Sequence, residues 1–309
     1  MKKFYAIIFT MLMSIGTYAQ HHEIGIFGGV SYYMGDLTPG HFTIPGYNFG
    51  LQYRYNINRR FAVRLVTHLG RINGDSKNDS ESKRYKNLSF HSYIFDVEGG
   101  IEINFMEYEP GSKNHRFTPY IFGGLSVFTF NPKTDYQGEE YELQPLGTEG
   151  QGLTAYPENK PYKLAALAIP FGVGIKWSVS DKVSLNLEWG LRKTFTDYLD
   201  DVSTRYPDPT ILRAEKGAVA AALSNRQHEQ AAIDMGLDIS IGPNGIPNKQ
   251  ADFDIYMTSL GKGGGQRGME NSDWYGIAGI TVMFKIVGAK KGRCPAYKQK
   301  GQYKEYLLF

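Results

Sequence analysis

Apolar and polar residues alternate with a period of two along most of this chain, and the clearest run is Leu167–Leu191. Leu167, Ile169, Phe171, Val173, Ile175, Trp177 and Val179 share one parity, while Ala168, Pro170, Gly172, Gly174, Lys176 and Ser178 take the other. After Ser180-Asp181-Lys182 the pattern resumes with Val183, Leu185, Leu187, Trp189 and Leu191, opposite Ser184, Asn186, Glu188, Gly190 and Arg192. A helix would space its apolar residues three and four apart; a spacing of two predicts a hairpin with one oily and one polar face. Each arm suits the roughly 9–11 residues that a tilted strand needs to cross a bilayer. Trp177 and Trp189, near the ends of the oily faces, suit the aromatic girdles of a membrane barrel.

The same parity predicts six more strands. They run over Ile24–Tyr32, Tyr47–Ile57, Phe61–Leu69, Tyr93–Phe105, Phe117–Phe130 (weakened by Gly123 and Gly124) and Trp274–Ile286. Polar connections follow strands one, three, five and seven, at 35–45, 74–87, 131–163 and 195–273, and short turns follow two, four and six. The alanine-rich stretch Leu212–Met235 in the last of these is helix-prone. An even strand count with long and short connections strictly alternating predicts an all-β, eight-stranded antiparallel up-and-down barrel of the outer membrane, with long extracellular loops and short periplasmic turns. A soluble sandwich, the competing reading of the hairpin alone, has no reason to sort its loops this way.

The polar parity then faces the interior. It carries Arg54, Arg64, Asp96, Glu98, Glu102, Lys176, Glu188 and Arg192, charges of both signs. An eight-stranded barrel is just filled by its side chains, so the expectation is a closed interior of paired charges and not a pore.

Composition agrees with a barrel: Gly 36, Tyr 22, Phe 18 and 41% hydrophobic residues in 309, with a mean hydropathy of −0.37. No segment after the start approaches the roughly 20 apolar residues of a spanning helix. Residues 1–19 form their own element: basic Met1-Lys2-Lys3, apolar Phe4–Ile15, then the small-residue site Gly16-Thr17-Tyr18-Ala19. That is the pattern of a secretory signal peptide, leaving 20–286 as barrel and 287–309 as tail. The formal net charge of +3 is unevenly spread, because the chain from Lys285 onward is strongly basic and the rest is slightly acidic. With both ends on the periplasmic side, Lys290, Lys291, Arg293 and Cys294 are the candidate partner-binding residues. Cys294 is the single cysteine, so it is either a free thiol or pairs with another chain.

Other candidate chemistry is thin. Asp197, Asp200 and Asp201 lie close together after the seventh strand, where carboxylates serve either calcium or an Asp-closed loop; the spacing is not that of an EF-hand. The histidines lack any G-x-S-x-G or H-E-x-x-H setting, and inward-facing His68 reads as a hydrogen-bonded interior residue. Gly261-Lys262-Gly263-Gly264-Gly265 lacks the Lys-Ser/Thr ending and the strand-to-helix setting of a phosphate loop. Neither an enzyme, a cofactor nor a nucleic-acid partner is expected.

Four stretches resemble one family. SYYMGDL at 31–37, FTDYLDDVSTRYPD at 195–208, SDWYGIAGITVMFKI at 272–286 and Arg293-Cys294-Pro295 are similar to the PorG-like outer-membrane proteins of the Bacteroidota type IX secretion system. The resemblance runs across essentially the whole chain, with 212–235 as an insertion not matched to it. It implies a scaffold whose periplasmic side contacts a PorK/PorN-like ring, sitting among outer-membrane lipid and lipopolysaccharide. An OmpA-like barrel or narrow channel without a secretion role is the alternative, and an outer-leaflet barrel enzyme a more distant one.

Overall fold

The computed structural model describes residues 22–38, 40–78, 84–269 and 271–286. The signal peptide and the tail residues Lys290, Lys291, Arg293 and Cys294 lie outside the described residues.

Ten strands form one antiparallel sheet, of which two are a side hairpin and the other eight close on themselves. The barrel strands are β1 (His22–Met34), β2 (Gly46–Asn56), β3 (Phe61–Asp75), β4 (Ser89–Asn104), β5 (Phe117–Thr129), β8 (Ala165–Ser178), β9 (Val183–Thr194) and β10 (Trp274–Lys285). Neighbours in sequence pair throughout, and closure comes from β1 against β10, with Ile26 opposite Val282 and Tyr33 opposite Tyr275. The side hairpin, β6 (Pro132–Tyr136) and β7 (Glu139–Glu142), pairs with the upper part of β4.

The barrel is inverted relative to a soluble protein. Outward residues such as Leu125 are as much as 68% exposed, whereas inward Arg54, Glu102 and Lys176 are 0% exposed. Water would penalise such an outer wall, and hydrocarbon would not, so the fold is that of the outer-membrane barrels. Trp177 stands at the short-turn rim opposite Phe117 of the adjoining strand. Trp189 departs from a simple girdle position. Its indole donates to Tyr32 Oη at 2.8 Å, and His41 and Phe42 of the first long connection fold back beside it.

Inward glycines make room for rings. A Cβ at Gly190 would sit 2.6 Å from Cζ of Phe122, and one at Gly172 2.7 Å from Cε1 of the same ring. Gly172 in β8 and Gly190 in β9 are therefore the space that Phe122 fills, and Gly174 makes the same room for Tyr120.

Two connections are more structured than expected. The 131–163 stretch carries the β6–β7 hairpin and a short helix at Leu143–Leu146 instead of being a polar loop throughout. The helix expected over 212–235 is three pieces, Pro209–Lys216, Ala218–Ser224 and Glu229–Asp234, with a fourth helix at Gln250–Ser259. The first opens on Asp208, whose side chain accepts from the amides of Thr210 and Ile211, with Pro209 in the first turn, a standard start. It stops because Gly217 takes φ 94°, a conformation no helix continues. The next piece, AVAAALS, is buried on every side, as a helix that is apolar all round must be. Together these segments form a cap over the long-loop end of the barrel. Its buried side chains are continuous with those at the barrel mouth, Phe128 and Tyr275 among them.

Among the described residues no helix is long and apolar enough to cross a membrane.

Candidate functional site

The charged parity of the sequence converges inside the barrel. Arg64 on β3 is the hub: its guanidinium lies 2.7 Å from Glu188 on β9, 3.0 Å from Glu98 and 3.6 Å from Glu102 on β4. Arg54 on β2 reaches Glu102 at 2.7 Å and Glu23 at 3.4 Å. Lys176 on β8 binds Glu102 at 2.5 Å and Asn104 at 2.9 Å, and Arg192 on β9 binds Glu98 at 3.0 Å. Asp96 stands apart from these pairs and accepts from the Tyr275 hydroxyl. All eight predicted residues thus lie inside, and seven join one ion-paired network. Tyr120 adds a hydroxyl to Glu188 at 2.7 Å, and the Arg64 guanidinium lies 4.2 Å from the Phe122 ring centre.

Charges buried this deeply are tolerable only when each finds partners, and here every cation touches at least one carboxylate. His68 fits the same scheme, with Nδ1 3.0 Å from Asn48 Oδ1 and its other nitrogen 3.4 Å from Arg192. Both ring nitrogens are thus oriented by neighbouring side chains.

Sequence reasoning overlooked two interior residues. Glu23 shares the inward parity, but at the edge of the leader it precedes the recognised alternation. It closes the short-turn end of the network, accepting from Asn56 at 2.9 Å. Tyr108 belongs to the 105–116 turn, yet it is 2% exposed, because the turn tucks it under the barrel to donate to Ser184 at 2.9 Å. Arg59 braces that turn from outside through Glu107 and Glu109 at 3.1 and 2.9 Å.

A second polar centre joins cap to barrel. Tyr33, one residue before the end of β1, contacts Asp200 at 2.6 Å and Asp273 at 2.9 Å. One hydroxyl proton serves two carboxyls, so the joint is complete when a carboxyl holds a proton of its own. Burial pushes both Asp200 and Asp273 well above the ordinary carboxylate range, and nearby acids add to the shift. Asp197, beside them, is pushed up to about 7, chiefly by burial and then by Asp36 and Glu149, while its bond from Ser203 acts the other way.

The third aspartate of the stretch points elsewhere. Asp201 accepts from Tyr162 at 2.7 Å, from Thr148, and from Arg267 at 3.4 Å. Arg267 also reaches Glu149 at 3.2 Å and the Asp201 carbonyl. Burial opposes its charge, but Asp201 and Glu149 outweigh that and hold its pKa above the usual guanidinium range. Asp197, Asp200 and Asp201 are thus committed to Ser203, Tyr33 and the Arg267 cluster. Among the described residues no group of three or more His, Cys, Asp or Glu side chains is arranged to hold a metal ion. The Asp-closed loop is the arrangement present: Asp200 Oδ1 accepts from the amide of Val202 at 2.9 Å.

Three of the stretches that carry the sequence resemblance meet at this joint: Tyr33 comes from 31–37, Asp200 from 195–208 and Asp273 from 272–286. The profile of a family described as a domain of unknown function, DUF6089, matches residues 2–214. The chain belongs to that family. No curated protein matches it. Among solved structures it is similar to Neisserial surface protein A at 8% identity, covering 85% of this chain and 96% of that one, with a TM-score of 0.39. It is also similar to Ail of Yersinia pestis (9% identity, 86% and 99% covered, TM-score 0.34) and to OprG of Pseudomonas aeruginosa (11%, 86% and 97%, 0.35).

Proposed function

We propose that this DUF6089 chain is a non-enzymatic outer-membrane scaffold of a type IX secretion machine. Its short-turn face would be periplasmic and would contact a PorK/PorN-like ring, with both termini on that side and lipid and lipopolysaccharide around the wall. The observation that carries this reading is the convergence of three PorG-like stretches on the Tyr33–Asp200–Asp273 joint. Residues far apart in sequence but shared with one family are used together to set the cap on the barrel. The interior supports a scaffold over a conduit: Arg54, Arg64, Glu98, Glu102, Lys176 and Arg192 fill the lumen at 0–1% exposure. The short-turn face suits docking, because Tyr108 and the Arg59 ion pairs fix its largest turn.

Affinity purification from detergent-solubilised outer membranes tests this, comparing the intact chain with one truncated after Ile286, with and without reductant. Ring proteins captured by the intact chain and lost on truncation support the scaffold and assign the contact to the basic tail. Loss with reductant alone singles out Cys294. Capture of nothing beyond lipopolysaccharide and general porins, with cargo export unchanged on gene deletion, overturns it. A surface barrel without a secretion role is the second reading, favoured by the cap being the most elaborated part of the molecule.

A further inference from the structure

The cap contains a cavity that neither the barrel nor the proposed scaffold role uses. It is a space of about 480 Å³ between two segments of the cap, 149–159 and 204–207, with the glycine loop 262–264 as its third wall. A space of this size holds one or two sugar rings, at the lower end of small-molecule sites.

Its walls are preformed. The amide of Gly264 donates to the Tyr206 carbonyl at 2.7 Å, and that of Tyr206 to the Gly265 carbonyl at 2.9 Å, so the glycine loop is stitched to the strand-like 204–207 segment. Gly263 and Gly264 have φ of 79° and 83°, and a Cβ at Gly263 would lie 2.4 Å from the Pro207 carbonyl oxygen. Glycine is required for that close turn, which leaves Lys262 at the cavity's edge. Across from it, the amides of Gly152 and Asn159 close the 149–159 turns on Asn159 and Tyr156 carbonyls at 2.8 and 3.0 Å.

The chemistry of the lining is selective. Tyr156 accepts from the Asp208 amide at 3.1 Å and Tyr206 from Gln227 at 3.0 Å, so their hydroxyls are engaged and the rings supply apolar wall. Glu149 is consumed by Ser203, Thr204 and Arg267. Arg205 donates only to the Gly264 carbonyl, at 3.3 Å, and neither it nor Lys262 has a carboxylate partner among the described residues. Glu158 likewise has no cationic partner there, and Asn159 spends its amide nitrogen on the Glu149 carbonyl at 3.0 Å, which leaves its oxygen to accept.

We infer that this cavity binds an acidic sugar, with Arg205 and Lys262 holding its carboxylate, Glu158 and Asn159 accepting from its hydroxyls, and Tyr156 and Tyr206 packing on the ring. A simple anion would leave Glu158 opposing it and the rings unused. Arg205, Lys262 and Glu158 are exposed at the rim and hydrated when the cavity is empty, so a neutral sugar forgoes the two cations, and a ligand carrying both a carboxylate and hydroxyls uses the whole lining. The sugar is either free or a unit of an envelope polysaccharide.

The test is saturation-transfer NMR on the full chain in detergent micelles, with galacturonic acid, galactose and inorganic phosphate as probes. The expected result is transfer to galacturonate with a millimolar Kd, with galactose at least about tenfold weaker, the value of one charge-assisted contact. Phosphate at equal concentration leaves the galacturonate signal in place. The Arg205→Gln/Lys262→Gln double variant loses the preference for the acid, and Glu158→Ala, which removes a hydroxyl acceptor, weakens galactose. Each variant is first checked for wild-type heat-modifiable gel mobility, which reports an intact barrel. Delipidated envelope polysaccharide is run beside the monosaccharide: competition at lower concentration identifies a polymer-borne sugar, and its absence identifies the free acid. Absence of transfer to galacturonate, equal binding by the folded double variant, or displacement by phosphate overturns the inference.

Discussion

The hydroxyl of Tyr33 lies 2.6 Å from the carboxyl of Asp200, a contact between residues 167 positions apart. Removing it by Tyr33→Phe leaves two buried carboxyls without their shared donor, at a cost of about 1–3 kcal/mol. The loss falls on the cap and not on the barrel wall. Limited trypsin digestion should cut the 195–273 segment faster in the variant, while gel mobility shows the barrel still folded.

The same joint responds to pH. Asp200 and Asp273 are raised, and Asp197 stands at about 7, so these groups favour the folded cap when protonated. For raised carboxyl groups the stabilisation is fully present below the ordinary carboxylate range and is lost as pH climbs through the folded values. Hydrogen exchange of the cap amides, corrected for intrinsic rate, should therefore quicken between pH 6 and pH 8 by roughly several-fold. Asp197→Asn should remove the part of that rise that levels off above about pH 7. A cap that tightens as pH rises would contradict the assignment.

Inside the barrel, Arg64→Met deprives Glu188, Glu98 and Glu102 of their common partner. Stranding buried carboxylates costs about 3–5 kcal/mol, and the drop should appear as a lower urea midpoint of folding in detergent. Replacing Glu188 by Gln in the same background removes one stranded charge and should recover part of the loss.

Packing makes a sharper claim. Gly190→Ala drives a methyl into Phe122, an overpacking worth about 1–3 kcal/mol. Phe122→Leu should be destabilising alone and compensating in the double variant, read from the same urea midpoints. Purely additive effects would mean that the two residues do not share the space.

The barrel was legible because its two faces meet different solvents. Arg54 and Tyr55, or Glu188 and Trp189, are neighbours with opposite surroundings, and a period of two records that directly. Glu23 escaped because parity is hard to read next to an apolar leader. The cap was much less legible. Its order rests on Arg267, Glu149 and Tyr33, three polar side chains scattered over distant segments and joined only by tertiary contacts. Within the cap, Gly217 cut what alanine content alone would have made a single helix. The aspartates of 195–208 could be suspected as a group from sequence, but their division between Ser203, Tyr33 and Arg267 depends on where the chain returns.

Tyr33 and Asp273 flank the seam where the first and last strands meet, since Tyr33 pairs with Tyr275 across it. Their bond can form only once that seam has closed, so the cap cannot finish maturing on an open sheet. Protease resistance of the cap is thus a built-in readout of completed insertion, and a chain stalled during assembly would announce itself by a cap that is still cut.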